Sequence, residues 1–141
     1  QLAWSIRTDP RVVVVEKVNA RTLTRDQLGP GAPDAFDLIT IDVSFISLRL
    51  VLPPLVPLLA PAGHAVALVK PQFEAGRDDV GAGGIVRDAA IHDRVVAEVA
   101  AEAARLGLAR RGLTPSPIAG AEGNREFLAH FTRDTAATPT L

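Results

Sequence analysis

The sequence predicts an α/β protein with a mostly parallel sheet that ends in a C-terminal antiparallel hairpin. Short apolar segments alternate with helix-forming segments along the chain, which is typical of parallel strands with helices on both faces of the sheet. The longest helical segment carries apolar residues at intervals of four, so it is expected to bury one stripe. The last two strand-like segments are joined by a short loop containing Pro and Gly, which favours a hairpin at one edge.

The N-terminal part of the chain supplies the first two predicted strands. Arg11–Glu16 contains four consecutive valines, a pattern typical of a strand that is buried on both faces. A loop at Asn19–Arg21 and a short helical turn at Leu23–Leu28 follow. After a turn rich in Gly and Pro, Phe36–Asp42 is the second predicted strand.

A proline-containing helix and a third strand come next. Ser44 or Ser47 is predicted to cap a helix over Leu48–Leu59, which its prolines must shorten or kink. Pro61–Gly63 is predicted to turn the chain into the third strand, His64–Lys70.

The C-terminal part begins with an irregular stretch and the longest helix. Asp88 is predicted to cap a helix over Ala89–Leu106. The residues expected to be buried are Ile91, Val95, Val99 and Ala103, and His92 is expected to lie off that stripe. Gly107 is predicted to end the helix.

The chain is expected to close with the hairpin and a tail. The predicted hairpin strands are Leu108–Leu113 and Glu126–Thr132. Residues 1–133 are expected to form one domain, because 141 residues of which 48% are hydrophobic can build one core. Residues 134–141 are predicted to be a disordered tail.

Composition excludes several classes of protein. The 15 basic and 16 acidic side chains give a net charge of −1, which argues against bulk attraction to nucleic acid but leaves a local basic face open. There is no cysteine, no visible signal peptide, and no apolar run long enough to span a bilayer. The three histidines lack metal-ligand spacing. A soluble cytoplasmic protein without a metal is therefore expected.

Three ionisable residues are candidates for catalysis. Asp42 and Lys70 end two predicted parallel strands, and ligands of open α/β sheets bind at this edge. Glu126 opens the last strand, where its loop would bring it over the same edge. Each has a simpler alternative: Asp42 would only terminate its strand, Lys70 would reach to solvent, and Glu126 would pair with a nearby arginine.

The segments around these three residues resemble a known family. Ile-Asp42-Val-Ser-Phe-Ile-Ser, Leu-Val-Lys70-Pro-Gln-Phe-Glu and Glu-Gly-Asn-Arg-Glu126-Phe, in this order, are similar to the TlyA branch of the FtsJ-like RNA methyltransferases, also called haemolysin A. The resemblance implies a Rossmann-like sheet and methyl transfer from S-adenosylmethionine to a ribose 2′-hydroxyl, typically of cytidine in ribosomal RNA. Asp42, Lys70 and Glu126 match the second, third and fourth members of the family's Lys-Asp-Lys-Glu tetrad.

The same resemblance implies that part of the family's machinery lies upstream of Gln1. The first catalytic lysine, the glycine-rich cofactor loop and a small RNA-binding domain have no counterpart in this sequence. Residues 1–133 are therefore expected to be the C-terminal part of a methyltransferase domain with a partial sheet. Two rival readings remain: a catalytically incomplete fragment that binds RNA or is inactive, and a membrane-lytic haemolysin, against which the near-neutral charge weighs.

Ligand contacts complete the expectations. The cofactor is expected to contact two loops, through Asn19, Ala20, Arg21, Asp42, Val43 and Ser44, although Asn19 would alternatively only form an Asx turn. Ribosomal RNA, free or in ribosomal subunits, is the expected partner. Its candidate contacts are Arg49, Phe73, Arg77 and Arg87. Phe45 is a further candidate for stacking on a base, and the alternative is that Phe45 is buried in the core.

Overall fold

A computed structural model describes residues 2–120 and 123–134. Its four-stranded sheet has the order β1-β2-β4-β3, with strands β1 Phe36–Ile41, β2 Leu59–Val69, β3 Leu108–Pro115 and β4 Phe127–Arg133. β1 is parallel to β2, and β4 is antiparallel to both of its neighbours, β2 and β3. Three strands thus run in one direction and β4 runs against them, which confirms the predicted α/β class with its C-terminal hairpin.

Helices connect the strands, and short 3₁₀ turns lie between them. The α-helices are α1 Trp4–Arg7, α2 Leu48–Leu55, α3 Pro71–Glu74 and α4 Ala89–Arg105. The 3₁₀ turns are Ala20–Thr22, Arg25–Leu28, Val56–Leu58, Arg77–Asp79 and Ala82–Gly84. No helix in the described part of the chain is both long and apolar enough to cross a membrane.

The proline-containing helix is shortened, as its sequence predicts. Ser47, and not Ser44, caps α2: its Oγ accepts a hydrogen bond from the Arg49 N–H. The α-helix ends at Leu55 and continues as the 3₁₀ turn Val56–Leu58. Prolines inside and after the helix cannot donate backbone hydrogen bonds, so a regular helix to Leu59 is not maintained.

The two longer helices cover one face of the sheet. Side chains of α2 and α4 share one core with the strand residues Ile41, Ala65, Ala67, Val69, Ala129 and Phe131. Alternate strand residues point to the other face, where Leu38 is 59% exposed. The alternation of elements had predicted helices on both faces of the sheet. The described helices cover only one.

The longest helix is confirmed, but one of its residues was assigned to the wrong face. The Asp88 carboxylate caps α4 by accepting from the Ala90 N–H, and Gly107 follows the helix with φ +88°. His92, expected off the buried stripe, is only 7% exposed. Its Nε2 lies 2.7 Å from the Val86 carbonyl oxygen, and its ring packs edge-on against Phe127. The His92 ring is therefore held in the interior by a polar contact at Nε2 and by an aromatic contact.

The prediction of a buried strand at Arg11–Glu16 is wrong. The segment has no strand structure, and the side chain of Val13 is 78% exposed. Its backbone makes a turn, in which Val12 N–H donates to the Asp9 carbonyl. Within the described residues no strand pairs with it, and it borders a cleft of about 490 Å³ beside Phe36. A valine run favours a strand only where neighbouring backbone completes its hydrogen bonds.

The third predicted strand begins earlier than expected. β2 already starts at Leu59, so the predicted turn Pro61–Gly63 lies inside it as an irregularity in the pairing with β1. A Cβ atom on Gly63 would lie 3.0 Å from the Phe36 carbonyl oxygen. This close approach explains why the position is occupied by glycine. The other strand ends agree with the predictions to within a few residues. The predicted tail, apart from Asp134, lies outside the described residues.

Candidate active site

The ends of the two parallel strands bring Asp42 and Lys70 together. β1 ends at Ile41 and β2 at Val69, so the next residue of each strand lies at the same edge of the sheet. Lys70 Nζ is 2.7 Å from Asp42 Oδ1 and 3.1 Å from Ser44 Oγ. The lysine side chain is only 12% exposed, whereas that of Asp42 is 70% exposed. The amine is therefore held in place from two sides, and the carboxylate remains open to a ligand.

Glu126 lies at the same edge and is buried. It directly precedes β4 and is 6% exposed. Gln72 Nε2 donates a hydrogen bond of 2.8 Å to Glu126 Oε2. The carboxylate also fills the space beside Gly120, where any Cβ atom would overlap it. Glu126 is thus fixed by a donor on one side and by a glycine on the other.

One cleft contains all three ionisable side chains. It has a volume of about 540 Å³, and its lining includes Asp42, Ser44, Lys70, Gln72, Gly120 and Glu126. This volume lies within the usual range for small-molecule sites, about 300–1,000 Å³. The cleft combines an amine, two carboxylates and a hydroxyl, a set that can hold and move a proton. Within the described ranges, no three metal-ligating side chains are grouped closely enough to hold a metal ion.

Two phenylalanines form a wall of the cleft. The rings of Phe45 and Phe73 pack with centroids 4.8 Å apart, and both residues line the cleft. Phe45 is 88% exposed, so it does not belong to the core. Its φ of +63° is in the left-handed region, which costs about 1–2 kcal/mol for a non-glycine residue. The loop after Asp42 thus holds an apolar ring towards solvent.

Glu74 joins the two loops that follow Asp42 and Lys70, and sequence reasoning missed it. It is 7% exposed, and its carboxylate accepts hydrogen bonds from Ser47 Oγ at 2.6 Å and from the Leu48 N–H at 2.7 Å. Burial raises the pKa of Glu74, although the Ser47 and Leu48 hydrogen bonds act against this shift. The only sequence signal was its place in the quoted segment after Lys70, which does not reveal a partner 27 residues away.

The candidate cofactor residues occupy two places. Asn19 Oδ1 accepts a hydrogen bond from the Arg21 N–H, so Asn19 forms the Asx-type cap that was the simpler alternative. Ala20 packs against the core, and the turn it begins contacts α2. Asp42 and Ser44 line the cleft, whereas Val43 packs against the core.

The candidate RNA contacts are dispersed. Phe73 lines the cleft. The Arg49 guanidinium is engaged by Ser47 Oγ at 3.3 Å and by Glu98 at 3.9 Å. Arg77 is exposed in a 3₁₀ turn, and Arg87 lines a separate cleft with Arg125. Sequence reasoning did not name Gln72, Gly120 or Arg125 as site residues.

Comparison with known proteins decides the family. Residues 1–133 match the model of the FtsJ-like methyltransferases. The chain belongs to this family. The resemblance inferred from the three segments is therefore confirmed. A methyltransferase family implies a methyl donor, and the edge that carries Asp42 and Lys70 is where open α/β sheets bind ligands.

Relatives with longer chains support the assignment. The chain is 52% identical to "Putative rRNA methyltransferase YqxC" of Bacillus subtilis, with 93% of this chain and 46% of that protein covered. It is 48% identical to "16S/23S rRNA (cytidine-2'-O)-methyltransferase TlyA" of Mycobacterium tuberculosis, with 96% and 49% covered. A structure of "Putative hemolysin" from Streptococcus thermophilus matches with a TM-score of 0.87 and 47% identity, with 96% and 48% covered. The chain thus spans about half the length of these relatives.

Proposed function

We propose that this chain forms the catalytic edge of an enzyme that methylates the ribose 2′-hydroxyl of a cytidine in ribosomal RNA. The observation that carries the proposal is the Lys70 amine, held at 2.7 Å by Asp42 in a cleft shared with Glu126. The name of the Mycobacterium tuberculosis relative supports the substrate. A ribosomal RNA substrate would place the protein in the cytoplasm, with ribosomal RNA or ribosomal subunits as its partner.

The residues present fit S-adenosylmethionine as the methyl donor. Its sulfonium group is cationic, and Asp42 offers a carboxylate that is 70% exposed beside the cleft. Asp42 and Ser44, which line the cleft, would hold it from one loop, and Arg21, whose side chain is exposed, would contact it from the other. When bound, it supplies an electrophilic methyl group that needs no metal.

The amine of Lys70 would act on the nucleophile. A ribose hydroxyl is a poor nucleophile at neutral pH, so it needs a group that accepts its proton or orients its oxygen. Lys70 is placed for this role because Asp42 and Ser44 fix its Nζ and little of its side chain meets water. Glu126, fixed by Gln72, would hold the ribose at a constant distance from that amine. Such alignment is a major source of rate enhancement.

The aromatic wall would receive the base. RNA that is read by sequence usually presents an unstacked base to an aromatic ring. Phe45 and Phe73 supply adjacent rings at the cleft, and Phe45 is largely exposed. Arg77 and Arg87 would contact the RNA backbone, whereas Arg49 is already engaged by Ser47 and Glu98.

The test replaces the amine in the protein at its natural length. Lys70→Met is expected to lower methyl transfer from tritiated S-adenosylmethionine to ribosomal RNA at least about 100-fold, because a positioned proton acceptor contributes about 10²–10⁴-fold. Calorimetry should show cofactor binding retained. Lys17→Met is the matched control at an exposed position and should transfer normally. Activity of Lys70→Met within a few-fold of the parent would refute the role of the amine.

The alternative function is a chain that is incomplete by itself and only binds RNA. The observation that favours it is the length of the relatives, of which this chain spans about half. Calorimetric titration with S-adenosylmethionine separates the two cases. No binding by the 141-residue chain, with binding by a longer protein that contains it, would favour the incomplete chain.

A further inference from the structure

A second cleft lies beside the one that contains Glu126. It has a volume of about 330 Å³ and is lined by Ile85, Val86, Arg87, His92, Gly123 and Arg125. Arg87 and Arg125 are both exposed, so two guanidinium groups are available at one cavity. Neither of them forms an ion pair with any acid in residues 2–120 and 123–134.

Buried polar contacts build this cleft without using the arginines. Asn124 is 2% exposed: its Oδ1 accepts from the Val86 N–H at 3.0 Å, and its Nδ2 donates to the Gly84 carbonyl at 3.0 Å. His92 Nε2 lies 2.7 Å from the Val86 carbonyl. The backbone next to Arg87 is therefore fixed to the backbone next to Arg125. Such satisfied buried networks are rigid, so the backbones that carry the two arginines are held next to each other.

The second cleft and the proposed site are lined by residues that are neighbours in the sequence. Arg125 immediately precedes Glu126 in the chain. Glu126 lines the cleft with Lys70, whereas Arg125 lines the second cleft. A ribose held at Glu126 is covalently joined to a phosphate on each side. One of these phosphates would come within reach of the arginines.

We propose that Arg87 and Arg125 bind a phosphate of the RNA strand next to the nucleotide that is methylated. The inference rests on the proposed function and adds a subsite to it. The planar fork of a guanidinium matches phosphate oxygens, and paired arginines are well suited to this anion. Contacts to phosphate position a strand without reading its sequence. The subsite would therefore set the register of the RNA, while the aromatic wall receives the base.

The experiment measures binding and transfer separately in the protein at its natural length. Arg87→Gln and Arg125→Gln are compared with the parent for binding to ribosomal RNA between about 50 and about 200 mM salt. Each is expected to reduce the slope of log K against log salt by about 0.7–1, the effect of one lost phosphate contact. Each should also raise KM for the RNA about 10-fold, with kcat at saturating RNA within about 2-fold of the parent.

Arg110→Gln is the matched control, with the same loss of charge. Arg110 is exposed on β3 and pairs with Phe131, towards the end of β4 that is distant from Glu126. It should leave both slope and KM unchanged. Arg125→Lys, which keeps the charge, should restore most of the slope but not all of the KM.

The outcomes separate this subsite from the proposed function. If the Arg87 and Arg125 variants keep the parental slope, or if Arg110→Gln lowers it equally, the subsite is overturned even where the parent transfers methyl groups. If the parent binds the RNA and the two variants lose slope while no methyl transfer is detected, the subsite stands and the proposed function fails. A parent that does not bind ribosomal RNA overturns the subsite.

Discussion

Asp42 and Glu126 are both carboxylates at one sheet edge, and they line the same cleft, but their surroundings differ. The side chain of Asp42 is 70% exposed and is held by Lys70. Glu126 is 6% exposed, accepts a hydrogen bond from Gln72, and fills the space beside Gly120. The comparison separates a fixed acid from an open one. The fixed acid can set the position of a substrate, while the open acid leaves room for a ligand to approach.

The largest expected effect comes from displacing the fixed acid without changing it. Gly120→Ala introduces a methyl group that would overlap the Glu126 carboxylate, so the side chain must move. A displacement of about 1 Å in a positioned group can cost about 100-fold in rate. We therefore expect methyl transfer to fall about 100-fold, measured with tritiated S-adenosylmethionine and ribosomal RNA.

Gly31→Ala is the control for the glycine change. Gly31 has no heavy atom within 4 Å of an added Cβ and has no positive φ, so this variant should keep parental activity. Thermal unfolding of both variants checks the fold. Parental transfer by Gly120→Ala would show that the position of Glu126 is not critical and would remove the distinction between the two acids.

The open half of the site could be predicted from sequence, and the fixed half could not. Asp42 and Lys70 each end an apolar strand segment, and parallel strands bring such ends to one edge by geometry alone. The contacts that fix Glu126 join it to Gln72, 54 residues away, and to Gly120. Neither periodicity nor strand order determines these distances. Sequence therefore predicted that Glu126 lies at this edge, but not which two residues contact it there.

The same limit explains the error at the valine run. Composition favours a strand at Arg11–Glu16, but a strand exists only where other backbone pairs with it. The described residues supply no such partner, and Val13 is 78% exposed. By contrast, the predicted bounds of α4 were accurate because a cap at Asp88, an apolar stripe and Gly107 are local signals. Local signals located the elements, and long-range contacts decided which of them formed.

A smaller effect is expected from removing single hydrogen bonds on the two sides of the cleft. Gln72→Leu deletes the donor to Glu126, and a hydrogen bond to a charged acceptor contributes about 1.5–3 kcal/mol. Methyl transfer should fall about 10-fold or more. Gln72 Oε1 has no partner among the described residues, so any loss of stability would come from the buried Glu126 carboxylate that is left without its donor.

Ser44→Ala is the corresponding change on the open side. It removes a hydrogen bond of 3.1 Å to Lys70, while the Asp42 contact at 2.7 Å remains. The expected loss is about 3-fold, measured as kcat/KM in the same assay. If Ser44→Ala proved more damaging than Gln72→Leu, the fixed acid would not be the more tightly constrained half of the site.

The smallest expected effect concerns Glu74, a third acid that stabilises the loops and does not line the cleft. Burial raises its pKa in the folded protein. Below its unfolded pKa the residue is neutral in both states. As pH rises through the two values, the unfolded state loses its proton first, so the contribution of Glu74 to the free energy of unfolding falls. Glu74→Gln has no carboxyl group at this position, so it lacks this pH-dependent contribution to the free energy of unfolding.

Urea unfolding of parent and Glu74→Gln from about pH 4 to about pH 7 tests this sign. The stability of the variant relative to the parent should increase as pH rises. Glu102→Gln is the matched control on α4, because the hydrogen bond from Arg105 lowers the pKa of Glu102. That contribution is present above the unfolded pKa and is lost as pH falls, so this variant should lose stability relative to the parent as pH rises. Equal trends in the two variants would contradict the assignment, since burial raises the pKa of Glu74 whereas the Arg105 hydrogen bond lowers the pKa of Glu102.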